Sequence, residues 1–197
     1  MNDETSKRPS DVPFAPRGTS MFGCLGCGKR KLNGWVNVDS QPMENPDVVV
    51  DLAADAWPWA DNSVDEVFAS HMMEHILPGA PFFHFLKELY RVCRNGATIK
   101  VILPHPSHDI FLNDPTHVQA IMPGTLVMFS KAYVEGAAVK GDVLTPFYKY
   151  LGVDFLIEKV HYRFGSDVDL EDPELEWKAK HLRNVIFEWE TTLTAVK

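Results

Sequence analysis

Short apolar runs separated by turn residues fill the first half of the chain, and a helical period enters only after residue 80. Met21–Leu25, Trp35–Val38 and Asp47–Leu52 are each of strand length. Val48-Val49-Val50 is a continuous β-branched run of the kind buried on both faces. Val64–Ser70 and Thr98–Leu103 predict two further strands. Between these two, Phe82, Phe85, Leu86, Leu89, Val92 and Cys93 recur at three- and four-residue spacing. They predict a helix over 82–94 with one stripe turned to the core. Arg91 and Arg94 suit its negative end, and Gly96 is its stop. Further on, the pattern predicts a helix over 123–131 and an irregular stretch over 132–144. A short helix follows to Leu151, with Thr145 as N-cap and Pro146 at its first position; its aromatics Phe147, Tyr148 and Tyr150 read as core. Residues 155–164 and 184–194 are strands. In the second, Val185, Phe187, Trp189, Thr191 and Leu193 alternate with polar residues, as a half-buried antiparallel strand does. Asp172-Pro173 opens a helix between them.

One stretch organises this order of strands. Gly26 and Gly28 bracket Cys27 directly after the first strand, and Asp39 ends the second. Glycine lets the backbone turn sharply and a ligand approach closely. An acid at the end of the second strand of an α/β unit can accept from both hydroxyls of a ribose. The third glycine of a dinucleotide fingerprint is missing, because position 31 is Lys. Only Lys29–Gly34 separate Gly28 from Trp35, whereas a helical crossover takes about a dozen residues. The first crossover helix is therefore reduced to a turn. No helix N-terminus faces a pyrophosphate, and the site favours a nucleoside without phosphates.

Composition narrows the class. The 197 residues suit one domain and, at 45% hydrophobic, bury a core. Residues 1–19 are polar and rich in Pro, Ser and charge, and read as a flexible arm before a domain over 20–197. Net charge is −8 without a Lys/Arg cluster, which argues against nucleic acid and anionic membranes as partners. No apolar run reaches transmembrane length and no signal-peptide core is present, so a cytoplasmic protein is expected. Oligomeric state is not legible. Cys24, Cys27 and Cys93 are too few for a disulfide framework. Cys24 and Cys27 form C-x-x-C, but without a second pair for zinc they read as core and turn backbone.

The densest polar cluster is His105, Ser107, His108 and Asp109 followed by Asn113, Asp114, Thr116 and His117, on the loop after the fifth strand. The readings, in order, are substrate-loop polarity, acid/base histidine and metal.

LGCG at 25–28, GWVNVD at 34–39, VVVDL at 48–52, DNSVDEVFASHMMEHI at 61–76, LKELYRVCRNGATIKVILP at 86–104 and DPTH at 114–117 together resemble class I S-adenosylmethionine-dependent methyltransferases. The resemblance is to the short type 11-like members with a truncated first crossover, and it spans roughly residues 20–130. Arg94-Asn95-Gly96-Ala97 departs from the family's usual turn. The resemblance implies a Rossmann-like, seven-stranded, mostly parallel sheet with helices on both faces and the last strand antiparallel. It implies S-adenosylmethionine as cofactor, held by the backbone of Gly26, Cys27 and Gly28, with the ribose on Asp39. Asp51 would accept from the adenine amine, with Leu52 against the ring and the methionine end near Ser70 and His71. Phe14 and Arg17 of the arm would close over the cofactor. Methyl transfer is then an in-line displacement that depends on near-attack geometry, to an acceptor expected to be a small molecule. His71, His105, His108 and His117 are the candidate bases.

Two rival readings stand beside this one. His71-Met72-Met73-Glu74-His75 matches H-x-x-E-H, the zinc-peptidase motif in which two His one helical turn apart bind metal and Glu activates water. Here it follows a strand directly, so a zinc hydrolase built on His71, Glu74 and His75 is the minor reading, and no residue is assigned to a metal. The other rival is a nucleoside-binding module without catalysis.

Overall fold

The computed structural model describes residues 20–197; the arm, with Phe14 and Arg17, lies outside the described residues. The chain runs β1 (Phe22–Leu25), β2 (Val36–Asp39), β3 (Val48–Val49), β4 (Val64–Ser70), α1 (Ala80–Val92) and β5 (Cys93–Pro104). It continues with α2 (Asp109–Leu112), α3 (Pro123–Leu126), α4 (Lys131–Val139), α5 (Phe147–Leu151), β6 (Phe155–Ile157), β7 (His161–Phe164), α6 (Leu175–His181) and β8 (Ile186–Ala195).

The sheet order is β3-β2-β1-β4-β5-β8-β6, with β7 also on β8. β1 to β5 pair parallel. β8 runs antiparallel to β5, β6 and β7. β6 lies against Leu193–Ala195 and β7 against Ile186–Glu190. The two are one strand path along a single edge of β8, broken around Glu158, whose N–H donates to Thr192 O at 3.0 Å. Eight segments thus fill the seven expected places. The strand order reverses between β1 and β4, which puts a switch point at the carboxyl ends of those two strands.

The stripe of α1 is buried as its spacing requires: Phe82, Phe85, Leu86, Leu89 and Val92 pack with Val67, Ala69, Ile99, Val101 and Leu103 from one sheet face. Each such side chain contributes about 1.5–3 kcal/mol on burial. Trp57 and Trp59 also belong to this core, and Trp57 meets Phe85 at 5.5 Å between ring centroids. The opposite face is exposed at Glu66, Thr98 and Lys100.

The first crossover contains no helix. Buried Asn37 closes it instead. Its Oδ1 accepts from Leu32 N at 2.8 Å, and its Nδ2 donates to Leu32 O and Trp35 O. Asp47 Oδ2 accepts from both Asn37 N and Nδ2.

Several boundaries differ from expectation. The third strand shortens to Val48–Val49 because it is the sheet edge, and Val49 is exposed rather than buried on both faces. α1 ends at Val92, not 94, because Cys93 is extended and pairs with Val64. Gly96 (φ 81°) therefore turns within the strand path, not at the helix end. The stretch expected to be irregular holds α4, capped by Ser130, whose Oγ accepts from Tyr133 N. The N-cap position of α5 is Pro146, not Thr145, and it carries no side-chain cap bond.

Candidate functional site

The turn after β1 brings two left-handed glycines to the switch point, Gly26 at φ 62° and Gly28 at φ 48°. Cys27 N between them donates to Val38 O at 2.9 Å, which ties the turn to β2. Asp39 then fixes the turn from the end of β2. Its Oδ2 accepts from Gly28 N at 2.8 Å and its Oδ1 from Gln41 N at 2.9 Å. Each carboxylate oxygen retains acceptor capacity toward a ligand. A Cβ on Gly26 would sit 2.3 Å from Met72 Cγ, so the glycine is required for the turn to pass Met72.

Gly26, Asp39, Asp51, Leu52 and His71 line one cavity of about 730 Å³. Asp51 caps its own turn, with Oδ1 accepting from Ala53 N at 2.9 Å. Cys27 and Ser70 open with Gly26 and His71 on an adjoining cavity of about 820 Å³ on the less covered sheet face, beside Phe68 and Ile102. Five of the eight predicted binding residues thus share one wall, and Cys27 and Ser70 join through the neighbour. Gly28 acts through its bond to Asp39.

His71 sits just past β4 at φ 51°, a conformation costly for a residue with a Cβ and one that marks functional sites. Its N–H donates to Ile102 O, and its Nε2 lies 2.7 Å from Glu188 Oε2. Arg163 holds the other Glu188 oxygen at 2.8 Å. Glu188 and Arg163 orient His71 between the two cavities; neither stood out in the sequence, because the strands that carry them lie far along the chain.

The histidines of the 104–117 loop separate. His105 lines a different cavity with Tyr162 and Ile186, its Nδ1 2.8 Å from Ser107 Oγ, and burial lowers its pKa. His108 caps α2, accepting from Ile110 N, with its ring against Phe187. His117 returns toward the first cavity, where the neighbouring Thr116 forms part of the wall. Its ring lies 4.7 Å from that of His75.

The H-x-x-E-H segment does not form the helical zinc-peptidase site. His71 ends the β4 path, and Met73–His75 is a single 3-10 turn, so His71 and His75 are not one α-helical turn apart. The C-x-x-C pair is buried and free. Burial, with Cys27 and Asp39 alongside, pushes the Cys24 thiol up to about 11, far from a reactive thiolate.

The description "Methyltransferase domain" belongs to the family model that matches residues 30–101. Among curated proteins there is no match. A SAM-dependent methyltransferase from Archaeoglobus fulgidus is similar in structure at 20% identity and a TM-score of 0.60, covering 90% of this chain and 86% of that one. A Haloferax volcanii methyltransferase, solved in complex with the Trm112 methyltransferase activator, is similar at 14% identity and TM-score 0.53, over 96% and 87% of the two chains. A SAM-dependent methyltransferase from Thermotoga maritima is similar at 12% identity and TM-score 0.53, over 96% and 87%. At such identities the structures establish the fold alone. Residues 30–101 thus match a methyltransferase domain, and the chain shares its fold with S-adenosylmethionine-dependent methyltransferases.

Proposed function

We propose that the chain methylates a small molecule, with the cofactor in the cavity at the switch point. The observation that carries this reading is the convergence of Gly26, Asp39, Asp51, Leu52 and His71 on one cavity of about 730 Å³. That size is in the range of small-molecule sites. Asp39 accepts from the ribose hydroxyls and Asp51 from the adenine amine, with Leu52 beneath the ring. The backbone of Gly26, Cys27 and Gly28 meets the amino-acid side, and Ser70 and His71 border the methionine end. S-adenosylmethionine supplies a methyl group on a sulfonium, already activated for transfer.

The protein's work is then positional. The Gly26 turn leaves room for close approach. His71, held by Glu188, is placed to accept a proton from an acceptor that carries one, and His117 is the second candidate. The net charge of −8 supports a small acceptor over nucleic acid. No helix among the described residues is long and apolar enough to cross a membrane.

Calorimetric titration with S-adenosylmethionine and its demethylated product tests the site. Micromolar binding that Asp39→Ala abolishes supports it; undiminished binding in a folded Asp39→Ala protein refutes the ribose assignment. Turnover in an acceptor screen, followed by the demethylated product, then tests the small-molecule reading.

A further inference from the structure

Glu74 is fully buried, and among the described residues no group donates a hydrogen bond to either of its carboxylate oxygens. Unpaired carboxylates in protein interiors are costly. Glu74 is not a stray core residue. Its backbone carbonyl accepts from Val118 N at 2.9 Å and Gln119 N at 3.2 Å, which fastens the end of the 113–119 loop beside its side chain.

That loop brings His117 to it, with Nε2 3.8 Å from Glu74 Oε1 and 3.8 Å from Asp114 Oδ2. Nδ1 of His117 faces Phe111 O at 2.9 Å, and a carbonyl can only accept, so Nδ1 carries the proton and Nε2 presents its lone pair. The same reasoning fixes His75. Thr116 Oγ1 donates its one proton to Asp114 Oδ1 at 2.6 Å, so it accepts from His75 Nδ1 at 2.9 Å, and His75 Nε2 is also left with a lone pair.

A ligand histidine typically donates its remote N–H to a carbonyl or another acceptor, which fixes ring and tautomer. Both histidines already do so. The ligand atoms of Glu74, His75 and His117 lie within 4.8 Å of one another. Around a tetrahedral ion with 2.0–2.1 Å bonds they would stand roughly 3.4 Å apart, a contraction that side-chain movement can supply.

We propose that Glu74, His75 and His117 bind a divalent transition-metal ion, with zinc as the reference ion. Two imidazoles and one carboxylate suit zinc or iron, and not the all-oxygen shell of magnesium or calcium. Asp114 is the nearest further carboxylate to His117. The site borders the cavity, because His75 and Thr116 form part of its wall. An ion there polarises an oxygen or nitrogen of a molecule bound in that cavity. The proposal rests on side-chain geometry and not on the methyltransferase reading.

The test is calorimetric titration of the full chain, stripped of metal with a chelator, with zinc chloride and with magnesium chloride. One zinc per chain is expected, with no displacement by equimolar magnesium. Glu74→Gln and His75→Gln should each weaken zinc binding by about 100-fold or more, and each should abolish the visible absorption that cobalt gives with the parent chain. His181→Gln, at a ring stacked on Trp177 and outside the cavity wall, should bind as the parent does. His75 is exposed, so its variant folds even where Glu74→Gln does not. Absence of stoichiometric zinc binding, binding that survives both variants, or displacement by magnesium overturns the proposal. S-adenosylmethionine titrated into the same samples reports on the cofactor site separately.

Discussion

Gly26→Ala and Gly28→Ala form a matched pair that measures how tightly the β1 turn is built against Met72. Both glycines are left-handed, at φ 62° and 48°. An alanine there meets the same backbone penalty, roughly 1–2 kcal/mol. Their surroundings differ. A Cβ on Gly28 meets nothing within 4 Å, whereas one on Gly26 falls 2.3 Å from Met72 Cγ and 2.7 Å from Met72 Cβ. Those two atoms are close to the Met72 backbone, so a change of rotamer does not clear both. Met72 follows His71, itself held at φ 51°, which restricts how far the segment can retreat. Overpacking of this kind costs about 1–3 kcal/mol. Gly28→Ala should therefore lose about 1–2 kcal/mol and Gly26→Ala about 2–5 kcal/mol. Urea unfolding followed by far-ultraviolet circular dichroism reads both as a fall in midpoint at constant slope. Thermal midpoints should fall by about 2–4 °C for each kcal/mol. Met72 also lines the cavity, so S-adenosylmethionine affinity should drop further in Gly26→Ala than in Gly28→Ala. Equal losses of stability in the two variants would refute the reasoning, since they would mean that Met72 yields freely.

Asp39→Asn keeps one carboxylate-like oxygen where the aspartate has two that anchor backbone N–H groups, so it should lose less stability than Asp39→Ala, with about 1–3 kcal/mol at stake; denaturant midpoints of the pair check the order. Glu88 joins Trp57 N and Arg91, and these bonds, Arg91's first, hold its pKa below the ordinary 4.5. A depressed acid stabilises above its unfolded pKa and loses that contribution as pH falls through the folded value. Glu88→Gln should therefore be less stable than the parent at pH 7, with the gap closing as pH drops below 4.5; a gap constant with pH in thermal melts would contradict this. The thiols of Cys24 and Cys93 are raised by burial to about 11 and 12. A disulfide reagent at pH 8 should therefore react slowly with the folded chain and with all three cysteines once it is unfolded.

What the sequence disclosed was what local pattern controls. The stripe from Phe82 to Val92 and the boundaries of β4 follow from periodicity, because each is decided by which face is buried. The glycine turn, Asp39 and the missing crossover helix were legible because φ > 0 and chain length are local constraints. The ends of α1 and β3 were not, because pairing decided them: Cys93 leaves the helix to meet Val64, and β3, at the sheet edge, pairs only over Val48–Val49. Asn37 reads as one polar residue in an apolar strand, yet its amide replaces a helix by closing the crossover.

The same distinction explains the histidines. Counting placed His105, His108 and His117 in one cluster, since they fall within thirteen residues. Folding sends each a different way: His105 toward Tyr162, His108 into a helix cap, and His117 back to Glu74. The bond that decides the last is a backbone one, from Val118 N to Glu74 O, and side-chain chemistry carries no trace of it. Likewise His71 and His75 share a motif but differ in their main contacts, although His71 Nδ1 also lies 3.6 Å from Glu74 Oε1. The left-handed backbone at His71 turns it toward Glu188, while His75 joins His117. A five-residue pattern that spells a metal site in a helix is thereby divided: both histidines border the cavity at the switch point, but one meets Glu188 and the other stands with Glu74 and a histidine from 42 residues further on. Spacing carries chemical meaning only once the element that realises it is known, and here that element is a strand end followed by a 3-10 turn.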